Sequence, residues 1–436
     1  MPITTVNGSQ FGDEGKGKIV DLLAEHFDLG VRPTAGDNAG HTVVANGKTV
    51  KMRLAPSAIV AGTPVIIGDD VMINPFTLAK EIEDLKGAGV DVDNLLTVST
   101  NTHLVLPYHV YLDELNEVGE TPIGTTKRGI GPAFADKVNR KGMRMEEFVS
   151  PEILKKRLEQ LTERVNRMAV ALGGDKEFYA QELYEQLAPA ADILRPYVGP
   201  SAQKIHKALA EGQEVLIEGA QGSLNDLVFG TYPYVTSSRP IVGGLLAGAG
   251  VGPKHVERVI GVMKPYQTRV GIGPIVGEMF GEEADLIVRR GNEYGTVTGR
   301  ARRVMACDLV ALKHTSELNG TTAFALTKLD VLDESPKIKL VTGYIVDGKK
   351  ADLFPTNLDY AKVKEEYTII DGWNTPTSHI RDYDKLPKQV KELVNIIEQF
   401  TNVAVAIVSV GADREATIVR HPEMVLPKRA LAAYQK

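Results

Sequence analysis

Residues 12–18 read Gly-Asp-Glu-Gly-Lys-Gly-Lys, between the apolar run Ile3-Thr4-Thr5-Val6 and the helix-like run Ile19-Val20-Asp21-Leu22-Leu23. The order is strand, glycine-rich loop, helix. Gly12, Gly17 and Lys18 fit the G-x-x-x-x-G-K spacing of a phosphate loop, but Ile19 stands where that loop puts Ser or Thr. An acid, Asp13, sits inside the loop instead. Backbone N–H groups at such a loop and at the following helix N-terminus face phosphate. A carboxylate among them can hold a metal, take a proton, or do both.

Working outward, short apolar strands alternate with amphipathic runs. Strands are expected at 3–7, 64–68, 95–99, 214–218, 257–263, 322–328 and 403–409, and helices at 15–26, 75–88, 107–118, 308–318 and 384–400. This alternation predicts an α/β fold with a large, mostly parallel β-sheet covered by helices. Asn46-Gly47 reads as a hairpin turn between Thr42-Val43-Val44 and Thr49-Val50-Lys51-Met52. Residues 146–211 are charged and helix-prone and read as a helical insertion, punctuated by Pro151, Pro189, Pro196 and Pro200. Residues 335–383 read as a small mixed α/β subregion, and the tail after Pro422 as a short segment, surface-bound or frayed. All of this fits one large unit over 1–436.

Composition narrows the function. The chain has 436 residues, 43% hydrophobic and 24% charged, which is ordinary for a globular protein. A net charge of −6 leaves no global basic face for nucleic acid, so any anion site is local. The single cysteine, Cys307, excludes a disulfide framework and a cysteine zinc site. No apolar stretch reaches the ~20 residues of a membrane span, and the first residues lack a basic-then-apolar leader pattern. The expectation is a cytoplasmic enzyme.

Four further segments carry chemistry. Ala35-Gly36-Asp37-Asn38-Ala39-Gly40-His41-Thr42 follows a short strand. In a doubly wound sheet it faces the same crevice as the phosphate loop, where a histidine can donate to a bridging or leaving oxygen. Ile123–Pro132 packs three glycines, two threonines and two cations into ten residues; it reads as an anion-binding loop or as a solvated turn. Gly295-Thr296-Val297-Thr298-Gly299-Arg300-Ala301-Arg302-Arg303 suits a carboxylate or phosphate, because guanidinium forks pair with planar oxyanions. Thr327-Lys328-Leu329-Asp330, at a strand end, is similar to the guanine-reading motif of GTPases, with Thr for the usual Asn. An Asp there accepts from N1–H and the exocyclic amine, a donor pair that adenine lacks.

Taken together, Gly12–Lys18, Asn38–Thr42, Gly124–Pro132, Ile217–Gly222, Gly230–Ser238, Thr268–Pro274, Gly295–Arg303 and Thr327–Asp330 closely resemble the adenylosuccinate synthetase family, in the family's order and over nearly the whole chain. The resemblance implies a P-loop-like GTP-binding core and the reaction IMP + L-aspartate + GTP → adenylosuccinate + GDP + phosphate, with Mg²⁺. It implies that Asp13 is the general base and a metal ligand, that His41 stabilises the transferring phosphoryl group, and that the Gly40 carbonyl is a further metal ligand. Gln221 joins the catalytic set. Gly12, Glu14, Gly15, Lys16, Gly17, Lys18, Gly40, Thr42, Lys328, Asp330, Ser409 and Gly411 are implied for GTP. Asn38, Thr126, Arg140, Gln221, Thr236 and Arg300 are implied for IMP, and Thr298, Arg300 and Arg302 for aspartate. Arg140 matches an arginine that reaches the neighbouring subunit's site, so a homodimer is implied, with no nucleic-acid or membrane partner.

The chain departs from the family's pattern at Asp37, at Arg239-Pro240-Ile241, at Ala301 and at Val304-Met305-Ala306-Cys307. These changes are expected around substrate recognition. They leave a second 6-oxopurine nucleotide, GMP or dGMP, open beside IMP. A regulatory GTPase would carry the loop hydroxyl and a switch motif, neither of which is found. A non-catalytic nucleotide-binding relative would not need Asp13 and His41.

Overall fold

Ile3–Gly8 is buried along its whole length, as a strand in a parallel sheet covered on both faces must be. It pairs in parallel with Val256–Met263 on one side and Val215–Glu218 on the other. The structure, a computed structural model, describes residues 2–45, 48–118, 122–295, 299, 301–351, 354–355 and 360–434. The central sheet runs Thr417–Val419, Ala404–Ser409, Ala323–Leu326, Val256–Met263, Ile3–Gly8, Val215–Glu218, Leu29–Gly36, Val65–Ile73, Leu96–Ser99, Val198–Gly199. Only the outermost pair, Ala404–Ser409 with Thr417–Val419, is antiparallel along this path. The side chains of Ile3, Val31, Val215 and Ile217 pack on one face of the sheet, those of Val6 and Ile260 on the other.

Leu29–Gly36 is a fully buried strand that periodicity alone conceals, because it reads Leu-Gly-Val-Arg-Pro-Thr-Ala-Gly. Its pairing with Val65–Ile73 shifts register between Arg32 and Thr34, and Pro33 sits in that irregularity, where its missing N–H is tolerated. A Cβ on Gly248 would lie 2.3 Å from the Pro33 carbonyl oxygen, so glycine lets helix Val242–Ala249 approach this strand.

Helix Pro151–Ala171 buries Leu154, Leu158, Leu161, Val165 and Ala169, one stripe at helical spacing. These residues share a core with Val6 of the first strand and with Leu183, Leu187 and Leu194. Pro189 does not punctuate: it lies inside helix Ala180–Leu194. Burial of the flanking leucines and of Ala190 and Ala191 holds the helix through a residue that costs about 3 kcal/mol in an exposed interior. Strands Lys337–Val346, Lys349–Ala351 and Lys364–Asp371 pair antiparallel within a second sheet that also takes Tyr266–Arg269 and Arg303–Asp308. The tail is not a loose surface segment, since Val425 and Leu426 are buried in the main core. Strands His41–Ala45 and Lys48–Met52 pair antiparallel, while Asn46-Gly47 lies outside the described residues.

Candidate active site

The glycine-rich loop leaves the C-terminal end of the first strand. Gly12, Asp13 and Gly15 have φ of 98°, 59° and 88°, the left-handed region that glycine favours. Gly15 caps helix Lys16–Ala24. Close backbone approach explains the glycines nearby: a Cβ on Gly8 would meet the Gln221 carbonyl oxygen at 2.5 Å, and one on Gly222 would meet the Gln10 carbonyl oxygen at 2.2 Å. The 219–222 turn therefore packs backbone to backbone on the loop.

Glu14 turns inward. Its buried carboxylate accepts from Gln10 N at 3.1 Å and Gly12 N at 2.8 Å, and pairs with Lys16 at 2.7 Å. Those two amides are thus satisfied within the loop, which leaves the start of the helix at Lys16 as the anion-facing part. Asp13 is the opposite case. It is 39% exposed at the loop rim and its Oδ2 lies 3.1 Å from the Arg302 guanidinium.

Lys18 points away from the loop. Its ammonium donates to Ser409 Oγ at 2.6 Å, to the Gly411 carbonyl at 2.8 Å and to the Ala416 carbonyl at 3.1 Å. Burial pulls its pKa down to about 8, against Asp330 and Asp413, which raise it. Three residues expected to share the GTP site, Lys18, Ser409 and Gly411, are thereby joined directly.

The Thr327 hydroxyl donates to the Glu14 carbonyl and, at 3.1 Å, to Met263 O, so the residue replacing Asn ties the reader segment to the loop. Burial raises the pKa of Asp330. Asp330 lines a cavity of about 370 Å³ with Arg290, Asp333, Glu334, Asn374, Thr375, Pro376 and Ser378. Sequence reading missed the 374–378 wall, which carries no motif and reaches the reader only through the fold. Arg290 braces the reader backbone, donating to Val331 O at 3.0 Å and Asp330 O at 2.8 Å.

Gln221, itself at φ 55°, accepts from Ser238 Oγ at 3.1 Å, and Ser238 Oγ lies 3.2 Å from Thr236 Oγ1. Asn225 donates to Phe11 O at 2.6 Å, and Thr236 N to Asn225 O at 3.0 Å. The Gln221–Thr236 pair is thus assembled against the loop. Gln221 Nε2 and Asn38 Oδ1 are buried without a hydrogen-bond partner, which is the condition of groups awaiting a ligand. Thr126 is exposed, and Arg140 lies at φ 59° in an exposed turn after helix Ile130–Val138. In the Ile123–Pro132 segment the Ile123 and Gly124 amides donate to Glu117 and the Gly129 amide to Asp113, so these N–H groups do not form an open anion cradle. Gly40 is exposed; for His41 and Thr42 only the strand backbone is described. Thr298 and Arg300 lie outside the described residues.

The departures do not all surround the site. Val304–Cys307 is buried in strand Arg303–Asp308, so those residues answer to core packing rather than to substrate. Asp37 is buried, accepts from Thr77 Oγ1 at 3.0 Å and lies 3.7 Å from Arg128, anchoring its own loop. Ala301 is exposed and bridges Tyr294 at the stem of the arginine loop, and Arg239 is exposed.

A buried cluster centred on Glu293 carries no motif in the linear sequence. The Glu293 carboxylate receives the Lys264 ammonium at 3.0 Å, the Tyr266 hydroxyl at 2.8 Å, the Lys328 ammonium at 2.6 Å and the Arg302 guanidinium at 2.6 Å. Burial favours its neutral form, but Lys264, Lys328 and Arg302 outweigh that and hold the carboxyl well below the usual range. Burial lowers Lys264 to about 8, against Glu293.

Comparison with known proteins places this geometry. The adenylosuccinate synthetase family model matches residues 5–418. The chain is 43% identical over 424 residues to the adenylosuccinate synthetase of Caldanaerobacter subterraneus subsp. tengcongensis, covering 96% of this chain and 99% of that one. The fully ligated adenylosuccinate synthetase of Plasmodium falciparum superposes with a TM-score of 0.90 at 30% identity, over 96% of this chain and 99% of that one. The succinoaminodeoxyadenylate synthetase (PurZ) of cyanophage S-2L, solved with dGMP and dATP as an energy donor, reaches a TM-score of 0.61 at 18% identity over 99% of this chain and 97% of that one, a likeness of fold alone. A glycine-rich loop with its own carboxylate, the Thr327–Asp330 segment two strands away in the same sheet and matches across nearly the full length lead to one conclusion: the chain belongs to the adenylosuccinate synthetase family.

Proposed function

We propose that the protein is a GTP-dependent C–N ligase that joins L-aspartate to IMP, giving adenylosuccinate, GDP and phosphate. The observation that carries this reading is Asp13, the one carboxylate of the loop that faces outward, held in the left-handed region beside Arg302 while Glu14 is buried. O6 of neutral hypoxanthine is a poor nucleophile. Asp13 takes the N1 proton, O6 attacks the γ-phosphorus, and the bond to GDP breaks. The amine of aspartate then adds at C6 and phosphate leaves from that carbon, with an amine proton passing to solvent. Positioning and electrostatic stabilisation supply most of the rate in such transfers.

Gln221 and Thr236 suit the purine of IMP, helped by the unpartnered Gln221 Nε2 and Asn38 Oδ1. Asp330, which lines the 370 Å³ cavity, reads guanine together with Lys328, and Arg302 faces an aspartate carboxylate. By family resemblance His41 supports the moving phosphoryl group, and Thr298 and Arg300 complete the aspartate loop. The donor set for Mg²⁺ is a carboxylate, Asp13, and a carbonyl, Gly40, both oxygen ligands suited to a hard cation that also binds phosphate. When bound, the ion neutralises charge on the phosphates. Arg140, on its exposed turn, reaches a partner's site in a homodimer. Among the described residues no helix is long and apolar enough to cross a membrane, and we assign the enzyme to the cytoplasm.

The test is a reaction of the purified protein with Mg²⁺, GTP and L-aspartate, comparing IMP, GMP and dGMP, with products read by mass. Adenylosuccinate from IMP supports the proposal. A 2-amino product from GMP or dGMP, with none from IMP, would move the substrate and keep the chemistry.

A further inference from the structure

Two ends of the site rest on one buried anion. Lys328 belongs to the reader segment, and its ammonium donates to Glu293 Oε1 and to the Gly291 carbonyl at 3.0 Å. Arg302 belongs to the arginine loop. It bonds Glu293 Oε2 through one nitrogen and reaches Asp13 through another. Glu293 is wholly buried and so cannot touch a ligand itself. The backbone reinforces the arrangement: Arg302 N donates to Glu293 O at 2.9 Å, and Tyr294 bridges Ala301, so the stem of the arginine loop is built on Glu293.

The charge balance is uneven. Lys264, Lys328 and Arg302 face Glu293 and Asp13, which gives the cluster a net charge of one positive. Lys264 and Tyr266 also bond Oε1, while Arg302 takes Oε2. Arg302 keeps one buried nitrogen, Nε, without a partner. An incoming carboxylate or phosphate therefore meets an arginine already oriented from behind and still able to donate.

We propose that Glu293 is a positioning residue that sets Lys328 and Arg302 together, so that the guanine-reading end and the amino-acid end of the site depend on one carboxylate. The inference rests on the function proposed above and adds a residue that acts only through others. Its two arms predict a selective kinetic signature. Removing the charge with Glu293→Gln loosens both cations but leaves Gln221 and Thr236 untouched.

The test is steady-state kinetics of the full chain, wild type against Glu293→Gln. KM for GTP and KM for aspartate are each expected to rise about tenfold, the worth of one hydrogen bond to a charged group, while KM for IMP moves less than about twofold. In an Arg302→Leu background, Glu293→Gln should add nothing to KM for aspartate and still raise KM for GTP, a non-additivity that a merely weakened fold does not produce. Unchanged KM values, an equal rise in all three, or strictly additive effects would overturn the inference. If Glu293→Gln does not fold, Glu293→Asp, which retracts the charge by one carbon, takes its place. If the wild type forms no adenylosuccinate, the proposed function fails separately. Calorimetric titration with GDP then reads the Lys328 arm: about tenfold weaker binding in the variant supports the inference, and equal binding overturns it.

Discussion

Gly222→Ala isolates the contact between the 219–222 turn and the phosphate loop. The added Cβ would lie 2.2 Å from Gln10 O, 2.4 Å from Gly12 N and 2.6 Å from Gln10 C, where ordinary contact begins at 3.4 Å. All three are backbone atoms, so no flexible side chain can swing away, and the loop or the turn must move by about 1 Å. Overpacking of this kind costs about 1–3 kcal/mol, and rigid neighbours put it at the upper end. At about 2–4 °C per kcal/mol for domains of 150–250 residues, and less for a longer chain, Tm should fall by several degrees. Turnover should fall further, on the order of 10²-fold, because a 1 Å misplacement of reacting groups costs that much. Gly243→Ala is the matched control. It lies in helix Val242–Ala249 and its Cβ would meet nothing within 4 Å. Alanine there should stabilise by about 0.4–1 kcal/mol and leave turnover alone. Thermal unfolding and the adenylosuccinate assay read both variants. Wild-type Tm and turnover in Gly222→Ala would refute the claim that the turn and the loop are packed backbone to backbone.

Asp13→Asn should retain GDP binding while turnover drops about 10²–10⁴-fold, the range for loss of a general base; near-normal turnover would remove that role. In Asp330→Asn the side-chain amide offers one acceptor in place of two, so discrimination of GTP against ATP should narrow at least about tenfold, and unchanged discrimination would exclude Asp330 as the reader. Arg140→Leu should raise KM for IMP about tenfold, and mixing it with Asp13→Asn protein should regenerate activity in hybrid dimers; hybrids without activity would argue against shared sites. The alkaline limb of kcat/KM for GTP tests Lys18. Its charged form donates to Ser409 and Gly411, and burial places its pKa at about 8, so kcat/KM should decline as pH rises through that value. Lys18→Arg, which stays protonated there, should shift the limb upward, and an identical profile would dissociate Lys18 from it.

Local chemistry announced part of this protein. The glycine spacing at 12–18 marked a tight turn between a strand and a helix, because glycine favours the positive φ values that Gly12 and Gly15 adopt. Alternating apolar runs marked seven strands of the sheet, since each is buried on both faces and reads as apolar without a partner being known. The tetrapeptide Thr327–Asp330 is expected at a strand end, and it follows strand Ala323–Leu326 directly. The same local reading failed where packing overrules propensity, as in the proline inside helix Ala180–Leu194, and it placed a short strand before Ala35 without the bounds of the Pro-, Gly- and Arg-bearing strand Leu29–Gly36.

Only the tertiary structure decided which way the charged side chains face. Asp13 in the loop and Lys18 in the first turn of the following helix belong to one short motif, yet Lys18 turns to the segment from Ser409 to Ala416 and Asp13 to Arg302. Nothing in the spacing distinguishes Glu14, folded inward, from Asp13 beside it. Glu293 lies in no motif, and its four partners come from three separated stretches of chain. A buried ion cluster is set by which groups the fold brings within hydrogen-bond reach after water is removed, and the linear order of residues does not encode that distance.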